Sequence, residues 1–189
     1  MQRWLYSVLT FAVCAVCHAG DFEDGTAAFE RRDYAAAVAS FTRAAEQGNV
    51  LAQYNLGLMY HDGDGVARDY ERAFYWYRKA AEQGHPAAQF WVAIMYRDSI
   101  GVKRDYGETL YWLARAAEGG DPNAQFTLGQ LNHNGEGFPI DDVQAYLWFS
   151  LAAAQGDEEA KARIDQLEKR LTPAELARAQ RLVREWQPR

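Results

Sequence analysis

The first residues of this 189-residue chain that suggest chemistry form a short acidic, glycine-rich segment. Its residues His61, Asp62, Gly63, Asp64 and Gly65 carry the D-x-D-G spacing with which a calcium loop begins. A calcium loop of the EF-hand type also needs a later acidic ligand, and no acid follows at the required distance. The segment is therefore predicted to be an interhelical turn in which glycines supply positive φ. It predicts neither a metal site nor a cofactor.

Histidine spacing gives no second metal site. His61, His85 and His133 are the histidines that follow residue 19, and no two of them form a His-x3-His pair. Zinc sites need several nitrogen or sulfur ligands on one ion. These histidines are accordingly predicted to be solvated or to contact a partner.

Nucleophilic and acid–base catalysis are also poorly supported. None of the serines after residue 19 lies in a G-x-S-x-G elbow or close to a histidine in sequence. Glutamates recur once per repeat, which spreads the charges along the chain and does not pair two across a cleft. Convergence of carboxylates from different repeats leaves an enzyme as the alternative. The residues concerned are Ser40, Ser99, Ser150, Glu46, Glu82 and Glu118.

The amino terminus resembles a secretory signal. In residues 1–19, Arg3 precedes an apolar run that is too short to span a bilayer, and Ala19 ends it at a predicted cleavage site. The alternative is an uncleaved anchor. Both cysteines, Cys14 and Cys17, lie in this leader, so the cleaved chain would contain no thiol. The sequence thus predicts a periplasmic or secreted protein, and its net charge of −6 argues against nucleic-acid binding.

A repeat with a period of 36 residues organises the rest of the chain. Its clearest mark is a tripeptide that occurs three times, as Ala52-Gln53-Tyr54, Ala88-Gln89-Phe90 and Ala124-Gln125-Phe126. Each unit shows two apolar stripes at helical spacing, which predicts a pair of packed helices. Small alanines let the two helices approach, and a recurring tryptophan is expected to supply buried area; these tryptophans are Trp76, Trp112 and Trp148.

The motifs of this unit resemble a known family. Residues 56–60 match the L-G-x-x-Y of the tetratricopeptide repeat, but the 16 residues from Gly57 to Ala73 are four too many for it. The longer turn and the Ala-Glu-Gln-Gly ending at Gly84 are similar to the Sel-one-like repeat. Glycines at the ends of the second helices, Gly84, Gly120 and Gly156, are expected to form left-handed caps.

The resemblance implies an all-α fold, a right-handed α-solenoid of stacked antiparallel helix pairs. After the predicted signal peptide of residues 1–19, residues 20–50 form a variant first repeat with a tighter turn. Full repeats are predicted at 51–86, 87–122 and 123–158, and capping helices at 159–189. Thr172 and Glu175 form a capping box there, which separates a helix near 157–171 from one near 174–186.

Binding residues are predicted from the same resemblance. In tetratricopeptide-type solenoids the first helix of each unit lines the concave surface, which implies three rows of candidates. The aromatic row is either packing or binding, and the rows that change between copies are better candidates for recognition. Trp91, whose counterparts are Asn55 and Thr127, is either an exposed binding residue or a local packing change. The rows are Tyr54, Phe90 and Phe126; Leu58, Ile94 and Gln130; and His61, Arg97 and His133.

The resemblance further implies a noncatalytic adaptor of the cell envelope. It would hold a peptide or protein segment by apolar contact, with Arg97, His61 and His133 selecting acidic or polar groups. The alternative is an envelope hydrolase that acts on cell-wall or β-lactam substrates, an activity of disulfide-bridged relatives whose cysteines this chain lacks. A third possibility is a structural role as a homo-oligomer, beside the expected monomer or weak oligomer. No nucleic acid, cofactor or membrane-spanning segment is expected after cleavage of the leader.

Overall fold

A computed structural model describes residues 20–135 and 139–187, and these ranges are helical with short turns. The predicted signal peptide lies outside the described residues. The chain is divided into two compact units, one that ends at Gln83 and one that begins at Gly84. The first contains α1 (20–30), α2 (Tyr34–Glu46), α3 (Val50–Asp62) and α4 (Tyr70–Glu82). The second contains α5 (Pro86–Asp98), α6 (Tyr106–Glu118), α7 (Pro122–Asn134), α8 (Asp142–Ala154), α9 (Glu158–Arg170) and α10 (Pro173–Glu185).

The helices begin and end where the sequence places short polar residues and glycines. Each helix from α2 onward starts after a residue whose side chain accepts a hydrogen bond from a backbone N–H of the first turn. The caps are Asp33, Asn49, Asp69, His85, Asp105, Asp121, Asp141, Asp157 and Thr172. After the second helices, Gly84, Gly120 and Gly156 have φ of +90°, +91° and +100°, as predicted for left-handed caps.

The turn inside each repeat also follows the prediction. Gly63 and Gly65 adopt φ of +85° and +72°, so the acidic segment after α3 is an interhelical turn. In the next repeat Ser99 takes the place of Gly63 and adopts φ of +60°, a conformation that costs a residue with a Cβ more than it costs glycine. The Ser99 hydroxyl donates to the carbonyl of Val102 at 3.2 Å, which helps to hold this turn.

In three of the four helix pairs the core is built around a glycine that faces an aromatic ring. A Cβ on Gly57 would lie 2.4 Å from the ring of Tyr77, and one on Gly129 would lie 2.6 Å from Phe149. Both rings are buried to within 1%. The tighter first pair shows the same arrangement, with Gly25 against Phe41. These glycines therefore let the first helix of a pair lie directly on the aromatic side chain of the second.

The buried alanines were predicted correctly and the role of tryptophan only in part. Alanines that recur along the second helices are fully or almost fully buried: Ala37, Ala44, Ala73, Ala80, Ala116, Ala145 and Ala152. Trp112 is 6% exposed, but Trp76 and Trp148 are only partly buried. The deepest large side chain is instead the residue that follows each tryptophan. One helical step of about 100° turns that residue, and not the tryptophan, toward the first helix.

The last two helices cover the end of the second unit. Both pack on α8, and Leu167 and Ala179 join its core. The Tyr146 hydroxyl donates to Glu168 at 3.0 Å, which ties α8 to α9. The predicted capping box is present, since the backbone N–H of Glu175 donates to the Thr172 hydroxyl and the Glu175 carboxylate accepts from Thr172. Across the residues that are described, none of the helices is both long and apolar enough to span a membrane.

Candidate functional site

In three of the four helix pairs, the penultimate residue of the first helix contacts the first residue of the second, either between two rings or through a hydrogen bond. The contacts are Phe29 with Tyr34 (ring centroids 5.3 Å apart), His61 with Tyr70 (5.4 Å), and His133 Nδ1 with Asp142 Oδ1 (2.8 Å).

The pair α5–α6 differs at these two positions. Arg97 forms a bidentate ion pair with its neighbour Asp98, with Nε–Oδ1 and Nη2–Oδ2 distances of 2.8 and 2.9 Å. Tyr106, the first residue of α6, is 60% exposed. Between them and α7 opens a cavity of about 580 Å³. We call it the Arg97 cavity; its lining is Arg97, Asp98, Arg104, Tyr106, Gly107, Thr109, Leu110 and Leu131.

The Arg97 cavity carries positive charge at its edge and apolar groups at its floor. The hydrogen bond from Arg97 lowers the pKa of Asp98, and the charges of Arg97 and Arg104 lower it further. Arg97 thus pairs directly with this carboxylate, and Arg104 acts on it from a distance. The aliphatic lining of the cavity, which we call the floor, consists of Leu110 and the buried Leu131. A site with this lining can hold an apolar group and place a negative charge beside it.

A smaller cavity lies at the corresponding place in the first unit. Its volume is about 190 Å³, and its lining comes from α1, α2, α3 and the turn that follows α3. Phe29 and Leu58 supply apolar surface, while Asp62 and Asp64 supply negative charge. The two units therefore present cavities of similar position and opposite charge.

The aromatic row of predicted binding residues mainly packs. The ring of Tyr54 lies 5.9 Å from that of Tyr77, and the ring of Phe126 lies 5.5 Å from that of Phe149. Phe90 lies 6.1 Å from Trp91. The indole of Trp91 is partly buried and contacts the neighbouring ring, a placement compatible with either interpretation of this residue.

The two variable rows are distributed over several places. Leu58 lines the small cavity and Arg97 the large one. Ile94 and Gln130 are partly buried on α5 and α7. His61 lies 2.7 Å from Asp62, which reduces its availability to a partner.

His133 takes part in a charged cluster that joins the last repeat to the capping helices. Asp142 receives His133 Nδ1 at 2.8 Å on one oxygen and Arg170 Nε at 2.9 Å on the other. A histidine oriented by a carboxylate resembles half of a catalytic triad. Within residues 20–135 and 139–187, no serine hydroxyl is hydrogen-bonded to His133, and no group of three potential ligands could hold a metal ion. The cluster is best explained as a structural link between α7, α8 and α9.

Sequence reasoning found Arg97 but missed its surroundings. Arg104, Tyr106, Leu110 and Leu131 come from a turn and two further helices, and only the fold brings them together. One signal was present, because the turn after α5 carries a basic pair, residues 103 and 104, where the preceding turn has alanine and arginine. That pair marks this turn as different from its neighbours.

Comparison with known proteins agrees with the repeat pattern. A model of the Sel1 repeat matches residues 20–49, 50–85, 86–121 and 122–157. A solved Sel1 repeat protein from Oxalobacter formigenes is 36% identical over 76% of this chain, with a TM-score of 0.72. The protective antigen c5321 of uropathogenic Escherichia coli, which displays an SLR fold, is 26% identical over 98% of this chain, with a TM-score of 0.61. No curated protein matches the chain.

This chain is shorter than either solved relative. It spans 58% of the Oxalobacter formigenes protein and 49% of c5321. The predicted fold class, an α-solenoid of repeated helix pairs, is confirmed by these matches together with the helical structure.

Proposed function

Because this chain belongs to the Sel1 repeat family, whose proteins generally act as protein-interaction scaffolds, we propose that it is a noncatalytic adaptor of the bacterial cell envelope. It binds a peptide or protein segment on the surface of the first helices of its units, α1 and α3 in the first unit and α5 and α7 in the second. We call this surface the first-helix face. The partner lies across side chains that differ from repeat to repeat.

One observation carries this proposal, namely the contrast between constant and variable positions. The recurring alanines and the glycine–aromatic pairs are buried and build the framework. The partly exposed positions of the first helices differ from repeat to repeat. Leu58 corresponds to Ile94 and Gln130, and His61 corresponds to Arg97 and His133. A repeated framework that presents a non-repeated surface is suited to recognising one extended segment.

Site-specific photo-crosslinking tests which surface binds. The photoreactive amino acid p-benzoylphenylalanine replaces Leu58 or Gln130 on the first helices, and Tyr75 or Tyr111 on the second helices as matched controls. Both tyrosines are 52% exposed, whereas Leu58 and Gln130 are partly buried, so a probe at either control position is at least as accessible. Irradiation in cells should give the same crosslinked protein from both first-helix sites and not from the controls. Crosslinks only from the tyrosine positions would refute the first-helix face.

The envelope location rests on the leader and has its own test. Cell fractionation followed by amino-terminal sequencing should recover the protein from the periplasm or the medium, starting at Gly20. Recovery of the uncleaved chain from the membrane fraction would indicate an anchor. Recovery of the uncleaved chain from the cytosol would contradict the envelope proposal.

A further inference from the structure

We infer that the Arg97 cavity binds an extended segment of a partner protein in which an acidic side chain lies next to a large apolar side chain. The inference rests on the proposed scaffold function and specifies its partner. The acidic group pairs with Arg97 and Arg104, and the apolar group enters the cavity over Leu110 and Leu131. Neither Arg104 nor the leucines belong to the residues predicted from sequence.

Charge complementarity supports the acidic group. The chain as a whole carries a net charge of −6, yet this cavity holds two guanidinium groups and one carboxylate. Within the described ranges Arg104 makes no ion pair closer than 4 Å, and its charge acts on Asp98 from a distance. A carboxylate of the partner placed beside Arg104 would form a second ion pair, next to that between Arg97 and Asp98. A partner with a basic side chain at this point would meet like charge.

The size and lining of the cavity support the apolar group. A volume of about 580 Å³ lies within the range of sites that enclose whole ligands, so one large side chain and its adjoining backbone fit. The floor is aliphatic, and burying an aromatic ring on such a floor contributes more than a surface ion pair does. The ion pair then orients the bound segment and makes binding selective for an acidic side chain, while burial of the ring provides most of the affinity.

Tyr106 favours a peptide over a small organic anion. This ring is 60% exposed at the edge of the cavity, and exposed tyrosines are enriched where proteins contact other proteins. A segment that enters the cavity would cover it. The corresponding tyrosines of the earlier repeats, Tyr34 and Tyr70, instead pack on Phe29 and His61.

Blocked hexapeptides provide a direct probe. Acetyl-Gly-Gly-Asp-Phe-Gly-Gly-amide is titrated into the ¹⁵N-labelled protein, beside one peptide with Asn for Asp and one with Ala for Phe. Amide resonances should shift mainly in residues 97–110 and near Leu131, and both altered peptides should bind at least about five-fold more weakly. Equal binding of the Asn peptide would overturn the acidic requirement. Equal binding of the Ala peptide would overturn the apolar one.

A matched pair of variants separates the cavity from general charge. Arg104→Gln and Arg68→Gln remove the same charge from equivalent turns, but Arg68 lies over Tyr70 in the other unit. Arg104→Gln should weaken the Asp–Phe peptide about five-fold or more, while Arg68→Gln should leave its affinity within about two-fold. Equal weakening by both would mean nonspecific attraction and would overturn the inference.

Failure of the peptide-binding inference can be distinguished from failure of the proposed scaffold function. If the peptide causes no shifts around the cavity while Leu58 and Gln130 still crosslink a partner, the inference fails and the scaffold stands. If the crosslinks are absent as well, both fail. Peptide shifts confined to the small cavity of the first unit would also overturn this assignment.

Discussion

The glycine that faces an aromatic ring in three of the helix pairs leads to a specific prediction about packing. Replacing Gly57 with alanine adds one methyl group at a point where the ring of Tyr77 is 2.4 Å away. Ordinary contacts between carbon atoms need about 3.5 Å, so the ring or the helix must move by about 1 Å. Tyr77 is fully buried and has little room to do so.

Two opposing effects set the magnitude. Glycine to alanine inside a helix stabilises by about 1 kcal/mol through backbone propensity. Overpacking a tight core costs about 1–3 kcal/mol. At 2.4 Å we expect the upper half of that range, so Gly57→Ala should lower the free energy of unfolding by about 1–2 kcal/mol.

The α5–α6 pair supplies a natural compensation. Ala93 stands at the position of Gly57, and Leu113 stands at the position of Tyr77; both are buried. In this pair the alanine methyl group is therefore accommodated by a side chain smaller than tyrosine. Tyr77→Leu alone should cost about 1–3 kcal/mol because it leaves a cavity. The double variant Gly57→Ala/Tyr77→Leu should be more stable than the sum of the single changes by about 1–2 kcal/mol.

Urea unfolding followed by circular dichroism measures these values, and hydrogen exchange of α3 and α4 amides localises them. Local exchange is needed because repeat proteins do not always unfold in one step. Gly107→Ala is the control, since Gly107 is exposed in the first turn of α6 and its added Cβ would meet only the capping carboxylate, at 3.2 Å. A stabilising Gly57→Ala, or additivity of the two changes within about 0.5 kcal/mol, would refute the packing argument.

Four further substitutions test other contacts. Burial lowers the pKa of His85, whose Nδ1 accepts a hydrogen bond from a backbone N–H, so the free energy of unfolding should fall as the pH drops below about 6.5. His85→Asn should remove this pH dependence and raise the free energy of unfolding by about 0.5–1 kcal/mol. Urea titrations at several pH values measure both effects. Ser99→Gly should raise the melting temperature by relieving about 1 kcal/mol of left-handed backbone strain, and an unchanged value would contradict that strain. Asp142→Asn, which breaks contacts with His133 and Arg170, should cost about 1–2 kcal/mol. Arg170→Met should cost less than about 1 kcal/mol because Arg170 is mostly exposed, and the reverse order would refute the cluster.

Much of the fold could be predicted because its determinants are local and repeated. Asp, Asn and Thr before the helices act through hydrogen bonds within three residues, and Gly84 acts through its own φ. The period of 36 residues then shows that each pair is followed by a similar one. Interactions of such short range are visible in the sequence itself.

The candidate site was less predictable because it depends on residues that are far apart in sequence. Arg97 was identified from its place in the repeat, but the open cavity depends on Tyr106 being exposed and on Leu131 of the next first helix. The sequence left the exposure of Trp91 open for the same reason, since that exposure is decided by neighbouring side chains and not by its difference from Asn55 and Thr127.

The sequence by itself determined the helices, their caps, the repeat and the family, because each of these follows from contacts within one unit or from its repetition. Only the tertiary structure decided which variable side chains are accessible. In this structure Arg97 pairs with Asp98 and Tyr106 is exposed. Arg97 and Tyr106 line the same cavity as Leu110 and Leu131. The physical reason is that accessibility is set by the packing of several helices at once, whereas a helix cap or a glycine turn is set by its own few residues.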